Sequence, residues 1–243
     1  MNYPPLATSA GDRSGEAEKS FWISFADLMT ALMMLFLLVM TVALMTLTNA
    51  TRSIQTKKQQ RAEDISHVMA QIDRAAQRLA GIEVDLERHV IDFGDRARFD
   101  TGSSSLSEPS ARALRALVPE LLAAADSERG RRWIRRIVVE GFADPRGSYL
   151  LNLNLSLQRG QRVLCVLLDP SGSFDGIGEE QRRRIRELFA VGGFSFNSPR
   201  ESYEASRRIE LRVEFRDVEE SSQQPGQPAK VQELGTCALG RQV

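Results

Sequence analysis

From Phe21 to Leu47 the chain is apolar except for a few Ser and Thr and one charged side chain, Asp27. As a helix, a run of some 27 residues rises about 40 Å, against a membrane hydrocarbon core of about 30 Å. The pattern therefore predicts a transmembrane helix over 21–47. The run is too long for the apolar part of a signal peptide, and it carries an acid at its head where a signal peptide has a basic leader. The segment before it, 1–20, is polar with Pro4, Pro5, Gly11 and Gly15, and reads as a loosely ordered leader. After it, 48–81 is polar, but Ile54, Ile65, Val68, Ile72 and Leu79 recur at roughly helical spacing, which predicts a helical connector open to pairing with its own copy. No strict heptad supports a long coiled coil.

A folded domain is expected over 82–217. Val84, Leu86, Val90 and Phe93 suggest strand, and the turn formers Asp100, Thr101, Gly102 and Ser103 follow. Ser107 or Ser110 caps the next helix, Pro109 suits its first turn, and Leu114, Leu117, Val118, Leu121 and Leu122 form an apolar face. Pro119 should kink or restart that helix. Ile137–Val139 reads as a strand buried on both faces, and the loop Asp144–Gly147 leads to a helix over Asn154–Leu168. A further helix is expected over Glu179–Phe189, between the turn-rich stretch 169–178 and Gly192-Gly193. Along 208–215, Ile209, Leu211, Val213 and Phe215 alternate with charged residues, the period of a half-buried strand. Strands alternating with helices make an α/β (α+β) domain. The tail 218–243, with its Glu, Ser, Gln and Pro, is expected to be partly disordered.

Composition narrows the chemistry. The 243 residues carry 32 basic and 32 acidic side chains, so there is no general pull toward nucleic acid. The two basic runs, 129–136 around Trp133 and 182–186, read as solvated rims. Cys165 and Cys237 permit one disulfide in an oxidising compartment, while Cys165 fits equally well as a core residue. His67 and His89 are isolated, and neither a metal-ligand spacing nor a nucleophile triad stands out. No enzyme chemistry and no bound cofactor is expected.

That leaves Asp27. An ionised Asp at the centre of a membrane helix costs roughly 2.5–3.5 kcal/mol, so an intramembrane acid is usually functional, with proton carriage the leading role. The alternative is an acid near the interface that snorkels or caps the helix, with Ser24 as a polar neighbour.

Two motif sets resemble known families. Gly141, Asp144, Gly147, Asn152, Leu155, Ser156 and Arg159, followed by Arg207, Arg208, Ile209 and Glu210 and preceded by Phe99, Asp100 and Gly102, resemble the OmpA-like peptidoglycan-binding family. The resemblance implies that Asp144 and Arg159 hold the diaminopimelate of a peptidoglycan stem peptide. Arg208 would support them and Asn152 would brace the loop. A carboxylate and a guanidinium suit a ligand bearing both an ammonium and a carboxylate. The chain departs from the pattern at Phe142, Ala143, Gly160 and Ser206, where the family carries a polar pair, Ala and Asn. The stretch from Lys19 to Phe36, with its aromatics, Ala26-Asp27 and Met29-Thr30, resembles the MotB family of stators. In that family the Asp accepts protons within a ring of MotA-type subunits. The short leader, the modest connector and the long stretch from Leu168 to Ser206 resemble the MotB-like subunits of Zorya anti-phage systems, whose partner is a MotA-like protein of the ZorA type. Flagellar MotB is the alternative, and a passive cell-wall tether is a further one.

These resemblances imply an inner-membrane homodimer with a cytoplasmic N-terminus, a periplasmic C-terminal domain, protons as the transported ion and no direct contact with nucleic acid. Charge bias disagrees. Arg52, Lys57, Lys58 and Arg61 follow the span with no acid before Glu63, whereas basic and acidic residues are mixed in the leader. The positive-inside rule alone places the domain in the cytoplasm.

Overall fold

The apolar run lies within a single helix, α1 (Arg13–Ala76), in a computed structural model that describes residues 13–169, 177–220, 237 and 239, with side chains from 22 onward except at 50. The expected leader up to residue 12, the turn-rich segment over 170–176 and nearly all of the tail beyond 220 lie outside the described residues. The chain divides into two units, Met1–Lys57 and Lys58–Val243.

In the first unit, every described side chain of the apolar run is exposed, Leu32, Leu35, Leu38 and Leu44 among them. A helix that is apolar all round and uncovered by protein has the surface of a membrane span. Among the described residues it is the one helix long and apolar enough to cross a membrane. Its threonine hydroxyls are folded back onto the helix: Thr30 donates to the Asp27 carbonyl at 2.8 Å, Thr41 to that of Leu37 at 2.6 Å and Thr46 to that of Ala43 at 2.8 Å. Such bonds remove the penalty of an unpaired hydroxyl in hydrocarbon.

The second unit starts earlier than the pattern suggested. Ile65, Val68, Met69 and Ile72 were expected in a connector, yet they sit in the same hydrophobic core as Leu114, Leu121, Ile137 and Leu211. The end of α1 is therefore a layer of the domain, and the boundary expected near Ile82 moves back to Lys58. Polar contacts pin it there. Asp64 accepts from the Trp133 indole and from Arg129, both at 2.9 Å, and Arg61 donates to the Arg216 carbonyl at 2.8 Å. Burial raises the pKa of Asp64, but the hydrogen bonds from Trp133 and Arg129 outweigh it and leave the carboxyl below its ordinary value.

The sheet has five strands, β1 (Glu83–Asp85), β2 (Val90–Asp92), β3 (Ile134–Gly141), β4 (Phe189–Gly193) and β5 (Ile209–Phe215), in the order β1-β2-β5-β3-β4. β3 and β4 run parallel and the other pairs antiparallel. The remaining helices are α2 (Glu108–Asp126), α3 (Glu128–Trp133), α4 (Tyr149–Leu168), α5 (Glu179–Leu188) and α6 (Tyr203–Ser206). Ser107 caps α2, whose helix continues through Pro119 rather than restarting there. Helix α4 begins at Tyr149, earlier than expected, because Ser148 accepts from the amide of Leu151 as its N-cap. Strand β4 was not anticipated. Its Phe-Ala-Val-Gly-Gly run is short and ends in two glycines that read as a helix stop.

On β5 the apolar residues Ile209, Leu211 and Val213 face the core as expected, but the charged positions are not a solvated face. Glu210 is fully buried, paired with Arg208 at 2.7 Å and Arg200 at 3.0 Å. Arg212 reaches across to Glu140 on β3 with contacts of 2.6 and 3.0 Å. Arg212 thus finds its partner on the adjacent strand, whereas Glu210 is met by Arg208 and Arg200 from outside the strands. Much of the basic run 129–136 is likewise engaged: Arg136 pairs with Glu214 at 2.7 Å and Arg131 donates to the Asp126 carbonyl at 2.6 Å. Cys165 and Cys237 form a disulfide, which settles the two readings of Cys165 and ties residue 237 to α4.

Candidate functional site

Three glycines bring α4 onto the sheet. A Cβ at Gly141 would sit 2.0 Å from the Ser156 carbonyl oxygen, one at Gly160 would sit 2.6 Å from Val191 Cγ1, and one at Gly193 would meet Leu157 at 2.5 Å. Gly160, where the family carries Ala, thus has a local cause in Val191. This close approach sets the polar face of α4 against the loop that leaves β3 at Gly141. Along that face, Asn152, Ser156 and Arg159 are all buried.

Asp144 sits in that loop, 6% exposed, and its carboxylate is fully engaged. Oδ1 accepts from the backbone amide and from Nε of Arg146, both at 3.1 Å. Oδ2 accepts from Arg146 Nη2 at 2.7 Å and from Arg207 Nη1 at 3.2 Å. The Arg146 guanidinium, with lesser help from its amide and from Arg207, outweighs burial and lowers the Asp144 pKa to about 2. Asn152 Nδ2 donates to the Arg146 carbonyl at 2.9 Å, and Gly147 takes φ +99°, so the C-terminal side of this tight turn is held in place.

Arg159 is placed differently from its expected role as a ligand-holding cation. It is fully buried beneath the site and spends its donors on backbone: Nε to the Ser103 carbonyl at 3.0 Å, Nη1 to that of Phe142 at 2.7 Å and Nη2 to that of Asp100 at 3.1 Å. Its guanidinium also stacks on Phe99 at 4.9 Å. Burial, with the charge of nearby Arg207, pushes its pKa down to about 10. Arg159 therefore joins the 99–103 and 142–148 loops into one rim.

Arg208 does not touch Asp144. It lies 4.1 Å over Phe142, which in turn stacks on Phe194 at 5.4 Å, and it pairs with Glu210. Its neighbour Arg207 is the member of the pair that reaches the carboxylate, while donating through Nε to the Phe99 carbonyl at 2.8 Å. Neither Arg207, a motif position, nor Arg146, in the loop, has an expected role at Asp144 from the motif alone. The Arg207-Arg208 doublet was visible, but which member faces the site depends on where β5 starts. Two of the family departures also have local roles. Ala143 is buried with its amide bonded to the Ser195 carbonyl at 2.8 Å, and Ser206 Oγ accepts from the Arg200 amide at 2.9 Å.

Asp27 belongs to the other unit. Helix α1 starts at Arg13, several turns upstream, so Asp27 is interior to the helix and does not cap it. Among the described residues no side chain bonds its carboxylate. The Trp22 and Phe25 rings meet edge to face at 6.3 Å one turn before it.

An apolar helix bearing one carboxylate, followed by a mixed α/β domain, is the layout of a membrane-anchored protein with a folded domain beyond its span. A family model described as the membrane MotB of the MotA/MotB proton-channel complex matches residues 8–63. The Zorya protein ZorB of Escherichia coli O139:H28 (strain E24377A / ETEC) is 46% identical over 205 residues, covering 84% of this chain and 83% of that protein. The chain belongs to the ZorB family. Among solved structures, the chain is similar to a putative MotB-like protein from Desulfovibrio vulgaris (19% identity, 68% of this chain and 98% of that one, TM-score 0.40). It is also similar to the periplasmic domain of Helicobacter pylori MotB (15% identity, 60% and 87%, TM-score 0.40). The family assignment rests on the ZorB match.

Proposed function

We propose that this chain is the peptidoglycan-anchored stator subunit of a proton-driven inner-membrane rotary motor, pairing with a MotA-like subunit of the ZorA type in anti-phage defence. The observation that carries the reading is Asp27, the sole ionisable side chain in the apolar run, unpartnered by any described side chain and open to a neighbouring helix. In a homodimer, two such acids stand inside a ring of partner helices. A proton arriving from outside neutralises the carboxylate, removes most of its cost in hydrocarbon, and is released inside. Each elementary charge crossing is worth about 2.3 kcal/mol per 100 mV, and that work turns the ring.

A rotating ring needs a fixed counterpart. The Asp144 carboxylate suits the ammonium of a diaminopimelate side chain, and Arg207 beside it suits the ligand's carboxylate. Arg159 and Asn152 hold the rim, and Arg208 buttresses it through Phe142. This reading puts the second unit in the periplasm, against the charge bias of Arg52, Lys57, Lys58 and Arg61. The Cys165–Cys237 disulfide favours that oxidising side.

The test compares Asp27→Asn with Asp27→Glu in cells carrying the complete defence system, scoring plaque formation and co-purification with the ZorA-type partner. Asn is expected to abolish protection with the complex assembled, and Glu to retain part of it. Full protection by the Asn variant rejects proton carriage at this position. A reporter fused after residue 220 that reports a cytoplasmic location rejects the wall anchor.

A further inference from the structure

The Asp144 carboxylate has about four lone-pair directions, and four donors occupy them: three from Arg146 and one from Arg207. No vacancy remains for an incoming ammonium. The two guanidinium groups are not held alike. Arg207 is 11% exposed in its side chain and is tied on its far side to the Phe99 carbonyl and to Glu204. Arg146 is 47% exposed. Beyond Asp144 its guanidinium has one hydrogen bond, to Thr101 Oγ1 at 3.2 Å, and the face of Tyr203, 4.8 Å away at the surface.

We infer that the Arg146 side chain is a tethered occupant of the cation subsite at Asp144, and that a ligand ammonium binds by displacing it. The inference rests on the wall-binding reading for the identity of the ligand, but its geometry is independent of that. The loop can release the side chain without coming apart. The Arg146 carbonyl stays fixed to Asn152 at 2.9 Å and its amide stays on Oδ1, so only the flexible arm moves. The displaced guanidinium goes into water beside Tyr203, and the ligand ammonium takes over its ion pair with Asp144. The ligand then gains a carboxylate whose remaining donors, the Arg146 amide and Arg207, keep it oriented. Arg146 thus sets a threshold. A lone primary amine competes poorly with a bidentate guanidinium. A ligand with further contacts along the rim can win.

The experiment uses the full-length chain in detergent micelles, with a diaminopimelate-containing muropeptide as probe and calorimetry as readout, on the wild type, Arg146→Ala, Arg146→Gln and Asp144→Ala. Both Arg146 variants are expected to bind at least threefold more tightly than the wild type, and Asp144→Ala is expected not to bind. If the wild type binds and both Arg146 variants bind equally well or more weakly, displacement is overturned and the wall reading stands. If no variant binds muropeptide, the wall reading fails, and methylammonium becomes the probe, followed by NMR. Perturbation of the Asn152 signals in Arg146→Ala, absent in the wild type and in Asp144→Ala, supports the tethered occupant. Equal response in Arg146→Ala and the wild type overturns it.

Discussion

Replacing Asp144 with Asn tests whether the charge at the centre of the rim stabilises the domain. Asp144 is almost fully buried, and its pKa is lowered from 3.8 to about 2 by the Arg146 guanidinium first, with the Arg146 amide and Arg207 adding to it against the cost of burial. At about 1.36 kcal/mol per pKa unit, that lowering corresponds to between about 2 and 3 kcal/mol of folding stability. The folded-state value lies below the unfolded one. The contribution is therefore complete above the unfolded pKa near 3.8 and is lost as the pH falls through about 2. Asn keeps the shape and one acceptor oxygen but no charge. The full-length chain in detergent, with Trp22 changed to Phe, is unfolded with urea at several pH values, and the fluorescence of Trp133, buried against Asp64, reports the transition. At pH 7 and pH 5 the Asn variant is expected to be less stable by about 2–3 kcal/mol, with the gap closing between pH 4 and pH 2 as the wild-type acid is protonated. A gap that stays constant with pH, or one below about 0.5 kcal/mol at pH 7, refutes the assignment of the stabilisation to the Asp144–Arg146–Arg207 cluster.

The other predictions concern packing. Ile72 is 1% exposed among residues of the domain core, so Ile72→Ala is expected to cost about 2–5 kcal/mol in the same assay; a cost near zero means that the end of α1 is not part of the core. Gly160→Ala, which restores the family's usual residue, should destabilise by about 1–3 kcal/mol because its Cβ meets Val191 Cγ1 at 2.6 Å, and Val191→Ala in the same chain should recover most of that loss. Additive costs in that pair refute the contact as the cause.

Much of the site was legible because its motif is local. Asp144, Gly147, Asn152, Ser156 and Arg159 fall on one loop and the helix after it, at spacings that place Asn152, Ser156 and Arg159 on one helix face, and the structure brings them together. Their roles were less legible. Arg159 was read as a ligand-holding cation, but three backbone carbonyls from two loops take up its guanidinium, and those loops are about 17 and 56–59 residues away in the chain. Arg207 rather than Arg208 reaches Asp144, and Arg146, which the motif marks only as a loop residue, covers it.

The membrane span and its lone acid were determined by sequence alone, because a hydrocarbon slab imposes length and polarity on a helix with no reference to the rest of the chain. So was the apolar side of β5, whose alternation follows from the pleat. Only the tertiary structure decided that Ile65–Ile72 belong to the core, that Glu210 on β5 is buried in ion pairs, and that 189–193 is a strand. Each of these depends on what packs alongside. The amphipathic end of α1 has the same pattern whether it meets a second copy or its own sheet. A Glu between two Arg looks solvated until the fold brings a further arginine, Arg200, onto it. The Asp144 loop shows the limit most directly, since the pairing of Asp144 with Arg146 is set by a short turn that includes Gly147 and that Asn152 and Arg159 hold in place from helix α4.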